Sequence, residues 1–232
     1  MFIIAMINAR GGSKGIPKKN IKSFLGKPLI VHSIDVALKI KKINKVLVST
    51  DCKNIAKVAE DNGAYVPFMR PKKLATSNAL QVDTIIYNIK KLEHILKKRI
   101  DIVVLLQPTA PLRSKEDIDG CINLIIRKNA DTVISITDVG NRHPTGIYKI
   151  KNKDELIPFV KINKSGFNRQ ELEKIYWRTG SVYVIKRDVL INEKAIYGKK
   201  VLGYNIPEER SFNLDTLFDW KLAELWAKFN KN

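Results

Sequence analysis

Residues 9–20 of the chain read Ala-Arg-Gly-Gly-Ser-Lys-Gly-Ile-Pro-Lys-Lys-Asn and directly follow a short apolar run at residues 2–7. That run, Phe-Ile-Ile-Ala-Met-Ile, predicts a buried strand. The stretch after it contains three glycines and four cations and is too polar for a core. Glycine lets the backbone approach a ligand closely, and main-chain N–H groups together with Lys and Arg suit phosphate oxygens. A strand that ends in such a loop predicts a binding place for a nucleoside triphosphate.

Two common phosphate-binding patterns do not match this loop. The P-loop requires Gly, four residues and then Gly-Lys-Ser/Thr, and the dinucleotide-binding loop requires Gly-x-Gly-x-x-Gly. Neither spacing occurs in residues 9–20. Local composition alone therefore leaves open a second interpretation, a glycine-rich turn with solvated charges.

Strands and helices alternate over the first 137 residues. The strand-like runs are short, β-branched and apolar on both faces, as expected for parallel strands covered by helices. They lie at residues 2–8, 45–50, 101–107 and 132–137. Between the second and third runs, a stripe of apolar residues from Val82 to Leu96 predicts a helix whose polar face includes Asn88. The order predicts an α/β fold, with a three-layer, Rossmann-like and mostly parallel sheet joined by right-handed crossovers.

This alternation stops at residues 138–180, where short apolar runs are interrupted by charged and turn residues. We expect an excursion there, serving as a lid or a dimer arm, within a single domain that spans residues 1–232. Strand-like sequence returns at Gly180 with Gly-Ser-Val-Tyr-Val-Ile-Lys. A last helix is predicted at about residues 216–229, and one of its faces is apolar. That face carries Phe218, Leu222, Leu225, Trp226 and Phe229.

The chain is strongly basic, with 42 Lys and Arg against 23 Asp and Glu, a formal net charge of +19. Such a charge favours anionic partners. Because the lysines are spread along the chain, we interpret them mainly as solvated faces, with a local basic site at residues 10–19. Aromatic residues make up only 8% of the chain and do not alternate with basic runs as a base-stacking surface requires. We therefore expect no nucleic-acid partner.

Cysteine and histidine usage gives no sign of a metal cluster. Cys52 and Cys121 are isolated and are interpreted as small apolar residues in a reducing compartment. The three histidines are scattered. No signal-peptide or membrane-spanning pattern is visible, so we expect a cytoplasmic protein without a membrane partner.

Three polar segments follow predicted strands, where an open parallel sheet binds its ligands. They are the loop at residues 9–20, the Ser-Thr-Asp at 49–51, and the Gln-Pro-Thr-Ala-Pro-Leu-Arg at 107–113. Independent polar loops at one edge of a sheet favour a real binding site over a solvated turn.

Several of these segments resemble one enzyme family, the acylneuraminate cytidylyltransferases or CMP-sialic acid synthetases. The loop at residues 9–20 and the Leu-Leu-Gln-Pro-Thr-Ala-Pro-Leu-Arg at 105–113 are the most specific matches. Other matching blocks occur in the family's order along nearly the whole chain. They are Val-Ser-Thr-Asp at 48–51, Arg70-Pro71, Leu74-Ala75, Arg169-Gln170, Gly-Ser-Val-Tyr at 180–183 and Leu-Asp-Thr at 214–216.

The resemblance implies a nucleotide-diphospho-sugar transferase fold. It implies transfer of a cytidylyl group (CMP) from CTP to the anomeric hydroxyl of an acidic keto sugar, with release of pyrophosphate. The acceptor would be sialic acid or a related nonulosonic acid. The resemblance also implies Mg²⁺ as cofactor and a homodimer, with the excursion at residues 138–180 reaching towards the partner.

Residue roles follow from the matching positions. The resemblance assigns nucleotide binding to Ala9, Arg10, Gly11, Gly12, Ser13, Lys19, Asn20 and Arg70, and catalysis to Lys19, Arg10 and Asp215. Lys19 has the clearest physical case, because a cation near the leaving pyrophosphate stabilises charge that grows in the transition state. The alternatives are a solvated Lys19 and a salt-bridged surface Arg70.

The resemblance assigns the acceptor sugar to Gln107 and Arg169, since a guanidinium binds a sugar carboxylate well. A buried Gln107 that satisfies backbone groups is the alternative. Asp215 and Asn213 are the expected metal ligands, because carboxylate oxygen is a preferred ligand of Mg²⁺. The alternative is that Asp215 or Thr216 caps the final helix.

Four positions depart from the family's usual residues, and they concern the metal and the acceptor more than CTP. Asn213 stands in place of an aspartate, Thr179 of an asparagine, Trp177 of an arginine and Gly146 of a lysine. The nucleotide is therefore better determined than the sugar. Three alternatives stay open: a synthetase for the related eight-carbon keto acid, a family member without catalysis, and a basic nucleic-acid-binding protein.

Overall fold

A six-stranded, mostly parallel sheet forms the centre of the computed structural model, which describes residues 1–13, 15–160 and 172–230. Within these residues two short hairpins lie outside the sheet, β2–β3 and β7–β8. The strands are β1 (Ile3–Asn8), β2 (Ser23–Phe24), β3 (Lys27–Pro28), β4 (Lys45–Ser49), β5 (Ile102–Leu106), β6 (Thr132–Asp138), β7 (Tyr148–Lys151), β8 (Glu155–Pro158), β9 (Tyr176–Lys186) and β10 (Val201–Asn205).

The strand order in the central sheet is β10-β6-β9-β5-β1-β4. β1 runs parallel to β4 and β5, and β10 runs parallel to β6. β9 is antiparallel to both β5 and β6. Asn8 and Ser49, at the carboxyl ends of β1 and β4, are paired in register. The loops after these two strands therefore begin side by side at one edge of the sheet.

Helices cover both faces of the sheet, so the structure has three layers. One face packs α1, α2 and α4 against residues such as Ile7 and Val104. The opposite face packs α3, through Ile85 and Ile89, against residues such as Met6. The helices are α1 (Leu29–Leu38), α2 (Lys53–Asp61), α3 (Gln81–Leu96), α4 (Lys115–Lys128) and α5 (Leu217–Phe229). The predicted three-layer, mostly parallel α/β fold is confirmed.

The strand-like sequence predicted from Gly180 forms most of β9, but the antiparallel direction of this strand was not predicted. It begins at Tyr176, four residues before the predicted return at Gly180, and its pairing with β6 shifts register between Ile134 and Ile136. Gly180 lies at this irregularity with a φ of +71°. Glycine adopts this left-handed conformation readily. A glycine inside a strand interrupts the strand pattern, so the sequence before Gly180 predicts a loop.

The segment predicted as an excursion contains two short helical turns and the β7–β8 hairpin over its described residues. All eight residues of β7 and β8 are exposed. Residues 161–171, which include the predicted sugar-binding Arg169, lie outside the described part of the chain. The single-domain assignment and the dimer-arm role stay predictions.

The final helix α5 packs against Ile16, in the loop after β1, with its less apolar face. Its buried residues are Trp220 and Ala223, which pack with Ile16 and Phe24. The five residues of the predicted apolar face are exposed, four of them substantially and Trp226 marginally. The sequence pattern therefore identified an apolar stripe correctly but did not indicate that this stripe faces outward.

Candidate active site

A cavity of about 480 Å³ lies at the carboxyl edge of the sheet. Its walls come from the loop after β1, the segment between β4 and α3, the loop after β5, and the turn before α5. It is lined by seven residues that the resemblance assigns to the site: Arg10, Ser13, Lys19, Asn20, Arg70, Gln107 and Asp215. The folded chain thus brings residues predicted to bind nucleotide, acceptor and metal into one cavity.

The loop that begins at Ala9 is held by the end of the neighbouring strand. Its first N–H, on Ala9, donates to the Ser49 carbonyl at 3.0 Å, and the Gly11 N–H donates to Asp51 Oδ1 at 2.8 Å. The buried Asn20 side chain donates to the Arg10 carbonyl at 3.0 Å. Asp51 was noticed in the sequence only as part of the polar Ser-Thr-Asp segment. The structure shows that it anchors the loop.

Lys19 is not a solvated lysine. Its ammonium donates to the Leu214 carbonyl at 2.8 Å and forms an ion pair with Asp215 Oδ1 at 3.2 Å. The Lys19 side chain is only 13% exposed, whereas that of Asp215 is 64% exposed. Lys19 therefore connects the loop after β1 to the turn before α5.

Gly15 allows this connection to form. A Cβ at this position would lie 2.6 Å from the main-chain oxygen of Asp215, a distance that side chains do not tolerate. On the other side, the Leu214 N–H donates to the Thr109 carbonyl at 2.7 Å. The turn at 214–215 is thus held between the loop after β1 and the loop after β5.

Asp215 does not cap the final helix. Thr216 and Asp219 form a reciprocal capping box, and Asp219 Oδ2 also accepts the Asp215 N–H at 3.1 Å. This leaves the Asp215 carboxylate on the cavity wall, where it contacts Lys19 and the Asn213 amide, whose Nδ2 donates to Asp215 Oδ2 at 2.8 Å. The capping alternative is correct for Thr216 only.

The residues expected to hold a metal differ in their suitability. Asn213 Oδ1 is buried and has no hydrogen-bond partner among the described residues, while its Nδ2 faces Asp215. The described ranges contain no group of three or more His, Cys, Asp or Glu side chains that could hold a metal ion. The exposed Asp215 carboxylate fits a cation that takes its remaining ligands from phosphate oxygens and water.

Arg70 is a buried arginine rather than a surface ion pair. Nε donates to Ser49 Oγ at 3.1 Å, and Nη2 donates to the Ser49 carbonyl and to Asn8 Oδ1, the latter at 3.3 Å. No ion pair of Arg70 occurs within the described chain. Burial lowers the pKa of Arg70 to about 10, although the charge of Asp51 raises it. It remains a cation at neutral pH, desolvated and lining the cavity.

Two asparagines behind Arg70 were missed by the sequence analysis. Asn88 on α3 was placed on a polar, solvated face, and this was wrong because the residue is fully buried. Its Nδ2 donates to Asn8 Oδ1 at 3.2 Å, and its Oδ1 accepts from Ser49 Oγ at 3.0 Å. The network holds Arg70 from below. A single Asn among lysines carries no sequence signal of burial.

A second groove adjoins the cavity at Asp215. Gln107 lines the cavity, and Asp215 also borders an adjoining groove of about 630 Å³ between β9 and α5. Arg142, Trp177 and Phe218 are among the groove residues. Thr179 is buried and shares a 2.7 Å hydrogen bond with Ser135, so its side chain does not border either space.

A mostly parallel α/β sheet with a cationic glycine-rich loop and a nearby carboxylate at its carboxyl edge defines a nucleotide-binding protein suited to polyphosphates. A family model described as cytidylyltransferase matches residues 4–202. The chain belongs to this family of nucleotidyltransferases.

Relatives of known name cover most of the chain. A CMP-N,N'-diacetyllegionaminic acid synthase of Legionella pneumophila is 34% identical, over 100% of this chain and 98% of the relative. A pseudaminic acid cytidylyltransferase of Campylobacter jejuni is 30% identical, over 98% and 97%. An N-acylneuraminate cytidylyltransferase of Streptococcus agalactiae is 30% identical, over 94% of this chain and 51% of the relative.

Solved structures support the same fold. A CMP:2-keto-3-deoxy-manno-octonic acid synthetase complexed with CTP superposes with a TM-score of 0.71 at 17% identity, over 100% of this chain and 99% of the other. A 4-diphosphocytidyl-2C-methyl-D-erythritol synthase of Anaerococcus prevotii gives 0.66 at 13% identity, over 98% and 96%. These likenesses concern the fold. None of the described helices has the length and apolar character needed to cross a membrane.

Proposed function

We propose that the protein transfers CMP from CTP to the anomeric hydroxyl of an acidic nonulosonic sugar and releases pyrophosphate. The observation that carries the proposal is the Lys19–Asp215 ion pair, which joins the cationic loop to a carboxylate on one cavity wall. The names of the full-length relatives, a legionaminic and a pseudaminic acid enzyme, support a nonulosonic acceptor.

The nucleotide side of the cavity supplies the charge for such a reaction. The triphosphate would lie along Arg10, Ser13 and the Gly11 and Gly12 backbone, with Lys19 beside the leaving group. The sugar hydroxyl oxygen forms a bond to the α-phosphorus while the bond to the bridging oxygen breaks. Pyrophosphate leaves with that electron pair, and the hydroxyl proton passes to solvent. Lys19 stabilises the leaving charge because it is already held in place.

We further propose that Mg²⁺ is held by Asp215, with phosphate oxygens and water as its other ligands. Such an ion would reduce the negative charge of the phosphates during attack. Asn213 would act by orienting the Asp215 carboxylate through its amide N–H, at 2.8 Å, rather than by binding the metal. If the Asp215→Asn variant depends on Mg²⁺ concentration in the same way as the wild type, the proposed role of Asp215 is wrong.

We propose Gln107 and Arg169 as contacts of the acceptor sugar. Gln107 lines the cavity. The acidic head group that Arg169 would bind is common to sialic, legionaminic and pseudaminic acids and to the eight-carbon keto acid. The identity of the sugar is therefore the part of the proposal that an acceptor panel must decide.

We also propose a homodimer in the cytoplasm, where CTP is available. The exposed hairpin β7–β8 alternates apolar residues such as Ile150 with Lys149 and Lys151. The groove beside α5 is partly apolar and is lined by four acidic residues and one arginine, Arg142. The β7–β8 hairpin of a second copy would be complementary to this groove. Its lysines would face the acidic residues, and its apolar residues would cover the exposed apolar side chains.

The test is incubation of the pure protein with CTP, Mg²⁺ and a panel of nonulosonic acids and the eight-carbon keto acid. We expect a new CMP-sugar by mass spectrometry and stoichiometric pyrophosphate with at least one nonulosonic acid. Turnover that survives Lys19→Ala together with Asp215→Ala would contradict the proposed roles. Turnover with the eight-carbon acid alone would support the related synthetase instead, and CTP binding without turnover would support a non-catalytic protein.

A further inference from the structure

Arg113 is a buried cation that the reaction outlined above does not use. It ends the Gln-Pro-Thr-Ala-Pro-Leu-Arg segment and is only 4% exposed. None of its hydrogen bonds in the described residues goes to a carboxylate, because Asp117 is bonded instead to Arg210, at 2.8 and 2.9 Å. A buried guanidinium whose hydrogen bonds all go to neutral groups is costly, although the charge of Asp117 lies nearby. Packing alone would be served better by an apolar side chain.

Its three hydrogen bonds join three elements beneath the active-site cavity. Nη1 donates to Ser33 Oγ on α1 at 2.9 Å, and Nε donates to Ser181 Oγ on β9 at 3.4 Å. Nη2 donates to the main-chain carbonyl of Gln107, at the end of β5. The planar guanidinium therefore helps to hold the backbone of Gln107, which lines the cavity and is expected to face the sugar. The Ala110 N–H and Ser33 Oγ donate to the same carbonyl, at 3.2 and 3.5 Å.

The Gln107 side chain has a contact of its own. Thr109 Oγ1 lies 3.5 Å from Gln107 Oε1, and Gly180, which has no Cβ, leaves room beside the same oxygen. The position of the Gln107 amide in the cavity therefore depends mainly on how the Gln107 backbone is held. A side-chain amide that is fixed before binding loses less entropy when it contacts a ligand.

We infer that Arg113 is a positioning residue that orients the Gln107 amide for the acceptor sugar. The inference rests on the proposed function. Burial lowers the pKa of Arg113 to about 9, with the charge of Asp117 opposing the shift, so the group stays charged at neutral pH. Lysine cannot replace it, because a single ammonium does not span the three acceptors that a planar fork reaches.

The first test is a double-mutant cycle with Arg113→Lys and Gln107→Ala in the full-length protein. We expect Arg113→Lys to raise the KM for the acceptor about tenfold, as loss of a hydrogen bond of roughly 1.4 kcal/mol does, with the KM for CTP unchanged. In the Gln107→Ala background the same change should alter the acceptor KM by less than about twofold. Effects that multiply in the double variant, or an equal rise in the KM for CTP, would overturn the inference.

The matched control is Arg187→Lys, at an arginine held by Glu93 at 2.7 Å and 3.0 Å at the other end of β9. It should leave the acceptor KM unchanged. If Arg113→Lys does not fold, Ser33→Ala and Ser181→Ala serve in its place. Each removes one of the hydrogen-bond acceptors of the Arg113 guanidinium. They should raise the acceptor KM in the same direction, and wild-type values for both would contradict the role.

A second test needs no turnover. In the ¹⁵N-labelled protein, the Gln107 side-chain amide signal is assigned by its loss in Gln107→Glu. We expect a lower order parameter for this amide in Arg113→Lys and an unchanged one in Arg187→Lys. An unchanged Gln107 amide in Arg113→Lys would overturn the inference even if the wild-type protein made no CMP-sugar. An inactive wild type would instead contradict the proposed function.

Discussion

The two sides of the active-site cavity are built differently. On the nucleotide side, the loop after β1 is tied to Ser49 of β4, to Asp51 and to the turn at 214–215, and Asn20 ties the loop to itself, by hydrogen bonds from 2.8 to 3.2 Å. On the acceptor side, the groove between β9 and α5 is bordered by exposed residues such as Trp177 and Phe218, and the nearby hairpin β7–β8 is exposed throughout.

This difference indicates where each kind of recognition comes from. The proposed triphosphate site uses main-chain groups and short-range contacts, which one chain can complete by itself. The proposed acceptor site lies beside large exposed apolar side chains, and such patches often mark an interface. We interpret the nucleotide side as preformed and the acceptor side as completed by a second copy.

Loss of the Lys19 ammonium is expected to have the largest effect. Lys19→Ala should reduce kcat/KM by about 10²-fold, roughly 3 kcal/mol of transition-state stabilisation. Pyrophosphate release measures this directly. Lys18→Ala is the control, because Lys18 is exposed and adjacent in sequence, and it should retain most activity. Similar losses in both variants would mean that general basicity, rather than the held ammonium, is responsible.

A methyl group at Gly15 should break the nucleotide side without removing a charge. Because a Cβ there meets the Asp215 main-chain oxygen at 2.6 Å, the turn must move, with a strain of roughly 2 kcal/mol. We expect Gly15→Ala to weaken CTP binding about thirtyfold by calorimetry. Gly146→Ala adds the same methyl group to open space on the acceptor side and should leave CTP affinity unchanged. Equal affinities for all three proteins would show that the turn does not form the nucleotide site.

A charge on the exposed face of α5 tests whether a second copy covers the acceptor side. Phe218→Glu should raise the dimer dissociation constant about tenfold, roughly 1.4 kcal/mol, in sedimentation-velocity measurements. Lys221→Gln makes the same charge change on the same helix and should leave it unaltered. If the wild-type protein is a monomer, no second copy completes the acceptor side, and the proposed difference between the two sides is wrong.

The smallest expected effect concerns Glu93, which lies away from both sides of the cavity. Its substitution serves as a reference for the stability of the whole fold. Burial raises the pKa of Glu93, but hydrogen bonds from Arg187 and the Ile100 N–H, and the charges of Arg187 and Arg99, outweigh it and hold the pKa below its ordinary value. A carboxylate with a depressed folded-state pKa contributes stability above its unfolded pKa and loses it as the pH falls.

We therefore expect the wild type to lose about 1 kcal/mol more than Glu93→Gln between about pH 5 and pH 3. Melting temperatures across this range measure the difference. Parallel curves for the two proteins would show that the ion pair does not stabilise the fold. CTP affinity at pH 7 should be the same in both, because neither side of the cavity is touched.

Much of the fold could be predicted because parallel strands and amphipathic helices leave local patterns. The runs that became β1, β4, β5 and β6 differ from the observed strands by one or two residues at their ends. The antiparallel β9 was missed at its start because Gly180 and the irregular pairing with β6 interrupt the alternation. The outward face of α5 could not be predicted either, because a periodic stripe does not specify what covers it.

The residue types of the candidate site could be predicted from the sequence, but the contacts between those residues could not. Residues 9–20 and 105–113 carry enough chemistry to identify a polyphosphate loop and a polar strand end. The contacts that hold these segments in place join residues far apart in the chain: Lys19 with Asp215, Asn8 with Asn88, and Arg113 with Ser33 and Ser181.

The sequence by itself determined the class of fold, the cationic glycine loop and the edge of the sheet at which the candidate site lies. Each of these depends on periodicity or on residues that are neighbours in the chain. The tertiary structure decided that Lys19 is held rather than solvated, that Asn88 and Arg113 are buried beneath the cavity, and that the apolar stripe of α5 faces outward. These depend on which elements the crossovers bring together, and burial and charge pairing are properties of that assembly rather than of any local stretch of sequence.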